Sequence, residues 1–407
     1  MLLDDQITGA QVCMLLFEQN IIDGTDEEKQ AVQSGSKSAY SFMLEKIENL
    51  DITPAQLALD PCSGSCVVTD TQTGEVLALV TYPGYDNNRL TNSIDSDYYN
   101  KIYYDLSQPM WNYATQQLSA PGSTFKMVSA ATALENNVVG LNETITCKGT
   151  WDTLSPPARC WIAPNGSHGP LDISGAIEHS CNYFFYEVGY RLSRNNGVYD
   201  SDTGLEKLAY YADQFGLSDK SGVEISESAP KVSDFDAIRS AIGQGTNNYS
   251  TVGLARYVTT VANSGSCYNL SLLSKATDAD GNLIADYTPT LRNTVDLKQS
   301  TWDAIHQGMR KVVEDKDYYK DLTIQVAGKT GTAQENRKRA NHALFVCYAP
   351  YEQPQIAIAT RIAFGYASDY AAQVTKDIVK YYFKLEDESS LITGTAESTN
   401  VVQSAGD

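Results

Sequence analysis

The chain has 407 residues, a formal charge of -20, and a globular balance of 42% hydrophobic and 20% charged residues. A length of this size means one large domain with appendages, or two domains, and it can bury enough apolar surface to fold without disulfides or metal. The acidity is general, with no lysine- or arginine-rich run, so like-charge repulsion makes nucleic acid and anionic lipid poor candidate partners.

Taken in chain order, residues 1–58 read as helical. Gln11-Val12-Cys13-Met14-Leu15-Leu16-Phe17 and Ala39-Tyr40-Ser41-Phe42-Met43-Leu44 carry apolar residues at helical spacing, with Asp23-Gly24-Thr25-Asp26-Glu27-Glu28 as a polar link. The start, Met1-Leu2-Leu3-Asp4-Asp5, lacks the basic and apolar regions of a secretory signal. No stretch reaches the ~18 consecutive apolar residues that a bilayer requires. By itself this reads as cytoplasmic.

Pro61 to Gly64 marks a change of pattern. Ser65-Cys66-Val67-Val68-Thr69-Asp70 and Glu75-Val76-Leu77-Ala78-Leu79-Val80-Thr81-Tyr82 flank the turn Thr71-Gln72-Thr73-Gly74 and read as a hairpin. Helices are predicted over 125–134, over 171–192 with a break near Ser180, and over 249–263 and 298–313. Strand-like runs follow at 323–327, 343–348 and 355–360, close enough in sequence to be antiparallel neighbours. An amphipathic helix at 369–384 closes the domain. Residues 386–407, rich in Ser, Thr, Gly and acid, should be disordered. The pattern is α+β: one antiparallel sheet of early and late strands flanked by helices, plus an all-α lobe.

Three motifs stand in order. Pro121-Gly122-Ser123-Thr124-Phe125-Lys126 places a serine where a loop enters a helix, with a lysine on the same face three residues on. A serine hydroxyl is a weak nucleophile and needs an adjacent base, and an amine serves only with a depressed pKa. The Ser123 N–H, at a helix start, is free to stabilise an oxyanion. Ser180-Cys181-Asn182 lies at a helix break, where Ser180 can relay a proton and Asn182 can hold a substrate amide. Lys329-Thr330-Gly331-Thr332 ends a predicted strand. There Gly331 permits close backbone approach, the cation and hydroxyls suit a carboxylate, and the Thr332 N–H completes an oxyanion pair. Alone, Ser123 would read as an N-cap, and Ser180 or Lys329 as a turn or surface residue. The ordered triple reverses that weighting.

The triple resembles the signature of β-lactamases and penicillin-binding proteins. Further stretches, including Val76 to Pro83, Pro109 with Asn112, Ala241-Ile242-Gly243-Gln244-Gly245, Val261-Ala262-Asn263-Ser264-Gly265 and His342-Ala343-Leu344-Phe345, resemble class B penicillin-binding proteins. The similarity spans residues 60–385 and looks closest to the penicillin-binding protein 2 type of Gram-positive anaerobes. It implies the penicillin-binding transpeptidase or serine β-lactamase-like fold, and a D,D-transpeptidase that cross-links peptidoglycan through an acyl-serine and is blocked by β-lactams. Ser123 would be the acyl acceptor, Lys126 its base, and Ser180 and Asn182 the second motif. Lys329, Thr330 and Thr332 would hold the carboxylate of D-Ala-D-Ala or of a β-lactam. The implied partners are stem peptides, β-lactams and a membrane glycan polymerase. The implied place is the extracytoplasmic face of the plasma membrane, with the anchoring N-terminal segment absent from this chain. Residues 1–58 would be a remnant of the family's pedestal, 59–385 the transpeptidase domain, and 386–407 an acidic tail. A serine β-lactamase, a D,D-carboxypeptidase and a β-lactam sensor share the motifs and stay open.

The chemistry requires no cofactor, but Cys147, Cys160, His168 and Cys181 fall in one segment, and Cys181 lies inside the second motif. Three thiolates and an imidazole suit tetrahedral structural zinc. A Cys147–Cys160 disulfide, or four unrelated residues, are the competing readings. His179 and His306 read as helix surface, and His342 as a local hydrogen-bonding group.

Overall fold

The computed structural model describes residues 6–391 apart from positions 20, 23, 50, 53–59, 61–62, 106, 154 and 336–338. Three helices open the chain: α1 (Gly9–Glu18), α2 (Asp26–Ser34) and α3 (Ala39–Glu48). Thr8 and Thr25 begin the first two with capping boxes, each closed by a side chain three residues on. The acidic run expected to be a link is therefore largely the first turn of α2, where Asp26, Glu27 and Glu28 meet the positive end of the helix dipole. Cys13, Phe17, Ile22, Val32, Phe42 and Ile52 give these helices a core of their own. The boundary expected at residues 58–59 lies outside the described residues.

Five strands form one antiparallel sheet: β1 (Ser63–Asp70), β2 (Val76–Tyr82), β3 (Ala327–Ala333), β4 (His342–Ala349) and β5 (Ile356–Ala363), in the order β3-β4-β5-β1-β2. β4 is buried throughout, with Leu344, Val346 and Tyr348 on one core and Ala343, Phe345 and Cys347 on the other. Burial on both faces explains why its sequence is a continuous apolar run without alternation.

β3 corrects the expected strand at 323–327. Its small, glycine-containing sequence has weak strand preference, yet pairing along β4, from Ala327 opposite Tyr348 to Ala333 opposite His342, makes all seven residues a strand. The third motif lies within that strand.

Between the hairpin and β3 come α4 (Ser96–Tyr104), α5 (Lys126–Glu135), α6 (Ile173–Glu178), α7 (Asn182–Leu192), α8 (Ser201–Gln214), α9 (Ala237–Ser240), α10 (Thr251–Ala262) and α11 (Gln299–Glu314). Every residue of α10 is buried. It meets β1 through hydroxyl pairs, Thr251 with Ser65 at 2.7 Å and Thr259 with Thr69 at 2.6 Å. Residues of α5, α7, α10 and α11 share the core on this side of the sheet. α12 (Ser368–Tyr382) covers the other face with Ala371, Ala372 and Val379. Within the segment expected to be disordered, α13 (Glu388–Leu391) is a short helix, and residues 392–407 lie outside the described residues. No helix of the described residues is long and apolar enough to cross a membrane.

Candidate active site

Ser123 sits in a 3-10 turn, Gly122–Phe125, that runs directly into α5. Glycines on three segments let backbones touch here. Gly122 has φ 52°, and a Cβ on it would collide with the Thr332 carbonyl of β3. A Cβ on Gly331 would lie 2.7 Å from Thr124 Cγ2 and 3.0 Å from the Pro121 oxygen. One on Gly243, at φ 76°, would collide with the Gly122 carbonyl, and the Gly122 N–H donates to Gly243 O at 3.1 Å. The space over Gly331 on the side of a Cβ thus belongs to the serine turn. The result is contact between the turn that carries Ser123 and the strand that carries Lys329, Thr330 and Thr332.

The second motif meets the first through Lys126. Its side chain is fully buried, and Nζ donates to Asn182 Oδ1 at 2.7 Å, Ser180 O at 2.8 Å and Ser180 Oγ at 3.1 Å. A buried amine requires such partners. Ser180 reaches this position by taking a left-handed φ of 48° between α6 and α7, a conformation disfavoured for a residue with a Cβ and concentrated at functional sites. Cys181 then caps α7, its sulfur accepting the Phe184 N–H at 3.5 Å. The break expected near Ser180 is this non-glycine corner, and it turns both Ser180 and Asn182 onto one lysine.

Lys329 is also fully buried, and its Nζ donates to Thr330 O at 3.1 Å and Thr330 Oγ1 at 3.3 Å. Thr330 is buried and Thr332 half-buried. At the end of the neighbouring strand, His342 Nδ1 accepts the Phe364 N–H at 3.1 Å, so Nε2 carries the proton and donates to Glu335 Oε2 at 2.6 Å. His306 departs from its expected surface position. It is half-buried, with Nε2 2.8 Å from the Val261 carbonyl and its ring edge-on to Tyr348.

Cys147, Cys160, His168 and Cys181 converge, each offering a ligand atom within 4.8 Å of the others. Cys160 Sγ lies 3.7 Å from His168 Nδ1 and 4.0 Å from Cys181 Sγ. Tetrahedral zinc with ~2.3 Å bonds to sulfur needs ligand separations of about 3.8 Å, so the set fits. All three cysteines are free thiols, and no disulfide joins Cys147 to Cys160. Hydrogen bonding from Cys181 holds Cys147 down to about 6 and Cys160 down to about 3, while Cys181 itself is pushed far up. His168 Nε2 is buried with no hydrogen-bond partner. His179 is exposed, as a surface histidine should be, and stacks on His168 at 5.8 Å.

Sequence reasoning gave no role to two supports of this site. The segment 241–245 floors the serine turn, with Ser129 Oγ donating to Ala241 O at 2.7 Å, and its signal was the resemblance carried by Ala241 to Gly245, which assigned it no role. Trp161 Nε1 donates to His179 O at 3.1 Å, one residue before Ser180. Nothing in its sequence context marked it.

The family description "Penicillin binding protein transpeptidase domain" matches residues 64–380. The chain is 30% identical over 362 residues to the peptidoglycan D,D-transpeptidase MrdA of Haemophilus influenzae, covering 80% of this chain and 53% of that protein. It therefore spans about half the length of the curated relatives it matches. Among solved structures, Pseudomonas aeruginosa PBP2 in complex with WCK 5153 is 25% identical, with a TM-score of 0.69 over 84% of this chain and 80% of that one. The D,D-transpeptidase domain of a peptidoglycan glycosyltransferase from Eggerthella lenta is 25% identical, with a TM-score of 0.68 over 81% and 80%.

Proposed function

The chain belongs to the penicillin-binding protein transpeptidase family, and from that premise we propose that it is a serine D,D-transpeptidase that cross-links peptidoglycan stem peptides. The observation that carries the reading is Lys126 Nζ, buried one turn after Ser123 and bonded to both polar residues of the second motif. Ser123 Oγ attacks the carbonyl of the penultimate D-Ala, and its proton passes to Lys126. The tetrahedral oxyanion is met by the N–H groups of Ser123 and Thr332, which lie on the turn and the strand that pack together at Gly122. The peptide bond breaks, a proton reaches the leaving D-Ala amine through Ser180, and an acyl-serine ester remains. An acceptor amine from a second stem peptide then attacks the ester and releases Ser123. Asn182 orients the substrate amide, and Lys329, Thr330 and Thr332 receive the terminal carboxylate. A β-lactam follows the first half and stalls there.

Stem peptides as substrate place the reaction outside the plasma membrane, and glycan chains to be joined imply a membrane glycan polymerase as the working partner. Both statements rest on the family. The four-residue cluster would hold structural zinc through Cys147, Cys160, His168 and Cys181. All four positions would come from protein, so the ion would act as a cross-link, bracing Cys181 between Ser180 and Asn182 without entering the reaction.

Fluorescent penicillin should label the protein stoichiometrically, and Ser123→Ala should abolish labelling. With a stem pentapeptide and an acceptor amine, amide product is expected. Release of D-Ala to water alone would reassign the enzyme as a carboxypeptidase, and rapid nitrocefin hydrolysis would make it a β-lactamase. Labelling with no turnover of either peptide would indicate a sensor.

A further inference from the structure

The roles given above leave open what keeps the Ser123 turn wound differently from the helix it feeds. Gly122–Phe125 is a 3-10 turn, and regular α-helix begins at Lys126. Where winding changes, a carbonyl loses its usual partner four residues on. The carbonyl at this junction is that of Thr124, the residue after the serine. Tyr257 Oη donates to it at 3.0 Å. In a continuous α-helix that carbonyl would instead be taken by the N–H of Val128, four residues on.

Tyr257 is fully buried on α10, the helix anchored to β1 through its threonines. Burial pushes its phenol well above the ordinary value, so the hydroxyl keeps its proton and stays a donor. The neighbouring Tyr249 does not share this task. Its ring stacks on Phe125 at 6.3 Å, while its hydroxyl donates to Asn247 Oδ1 at 2.8 Å.

We propose that Tyr257 is a positioning residue for Ser123: its hydroxyl, bonded to the Thr124 carbonyl, keeps the turn in 3-10 winding and so fixes where the serine oxygen and N–H point. The inference rests on the transpeptidase reading above. Without the hydroxyl, Thr124 O and Val128 N–H can close on each other and extend the α-helix backwards. Going from 3.0 to 3.6 residues per turn unwinds the chain by about 20° per residue and shortens the rise by ~0.5 Å. That shift moves Ser123 against Thr332 and Lys126, whose own positions are held by β3 and by the second motif.

The test is time-resolved acylation by penicillin over a concentration range that separates the pre-covalent dissociation constant from the acylation rate constant. Tyr257→Phe removes one oxygen and keeps the ring. An error of an ångström in a reacting geometry costs on the order of a hundredfold, so the acylation rate constant should fall by about 10- to 100-fold with the dissociation constant unchanged. The number of acylated sites at completion, counted against total protein, restricts the rate to folded molecules. An unchanged rate constant overturns the proposal. So does substoichiometric labelling with the surviving sites reacting at the wild-type rate, because that is the signature of a purely structural tyrosine. If instead the wild-type protein is not labelled, or labelling survives Ser123→Ala, it is the transpeptidase reading that fails.

Discussion

Single residues here are set by burial and by which partner each polar atom finds. His342 is the clearest case outside the reacting groups. It is buried, accepts a backbone N–H at Nδ1, and donates from Nε2 to the exposed Glu335. Burial is the leading cause that draws its pKa below 6.5, ahead of the repulsion from Arg361, while Glu335 opposes the shift. Because the folded value is the lower one, the unfolded chain takes up the proton first as pH falls. The stability held by neutral His342 is therefore complete above the unfolded value and declines as pH drops through ~6.5 toward the folded pKa. Melting temperature should fall between pH 7 and pH 5. His342→Asn, which keeps an acceptor for Phe364, should flatten that slope, and an unaltered slope would refute the assignment. The sequence showed a histidine opening a strand and able to hydrogen-bond locally, but not its burial, since burial is a property of what packs around it.

At the scale of elements, the site depends on a helix start being pressed against a strand. Gly331→Ala puts a methyl 2.7 Å from Thr124 Cγ2 and 3.0 Å from the Pro121 carbonyl. Overpacking of this kind costs about 1–3 kcal/mol, so denaturant titration should show a loss of that size. Penicillin acylation should slow with it, because β3 must back away from the serine turn. The short segment that joins α6 to α7 is the other element on which the site turns. Cys181 there is both cap and member of the four-residue cluster. Purified protein should carry one zinc per chain by metal analysis, and chelation should slow acylation while leaving Ser123 labelling complete at long times. Metal-free protein that reacts at the full rate would remove zinc from the account. The sequence offered these four residues as a zinc set beside a disulfide and an unrelated reading, because their wide spacing leaves their meeting to how the segment from β2 to α7 folds back on itself.

For the molecule as a whole, two cores on the faces of one sheet, a third within α1–α3 and a small cluster of Trp151, Ala158, Tyr186 and Ile238 divide the work. The third is drawn from residues 10–52 alone, so a protein lacking residues 1–52 should fold and be acylated by penicillin within about twofold of the full chain, as expected of a unit with its own core. Loss of labelling in that variant would show that α1–α3 support the site. The hairpin, the two apolar late strands and the broken helix around Ser180 were legible from the chain, because alternation, apolar runs and helical spacing are local records of burial. β3 was misplaced by several residues, since Ala327 to Ala333 has only weak strand preference of its own and takes its shape from β4. What the sequence determined by itself was the chemistry on offer: a serine and a lysine one turn apart, a serine and an asparagine at a helix break, and a lysine with threonines near a strand. Only the tertiary structure decided that Ser180 and Asn182 share Lys126, that Gly122, Gly243 and Gly331 exist to let three backbones touch, and that four scattered residues form one cluster. The reason is physical. Hydrogen bonds and steric contacts between residues 54 to 210 positions apart leave no periodic trace in the chain, and they become real only when packing has brought the segments together.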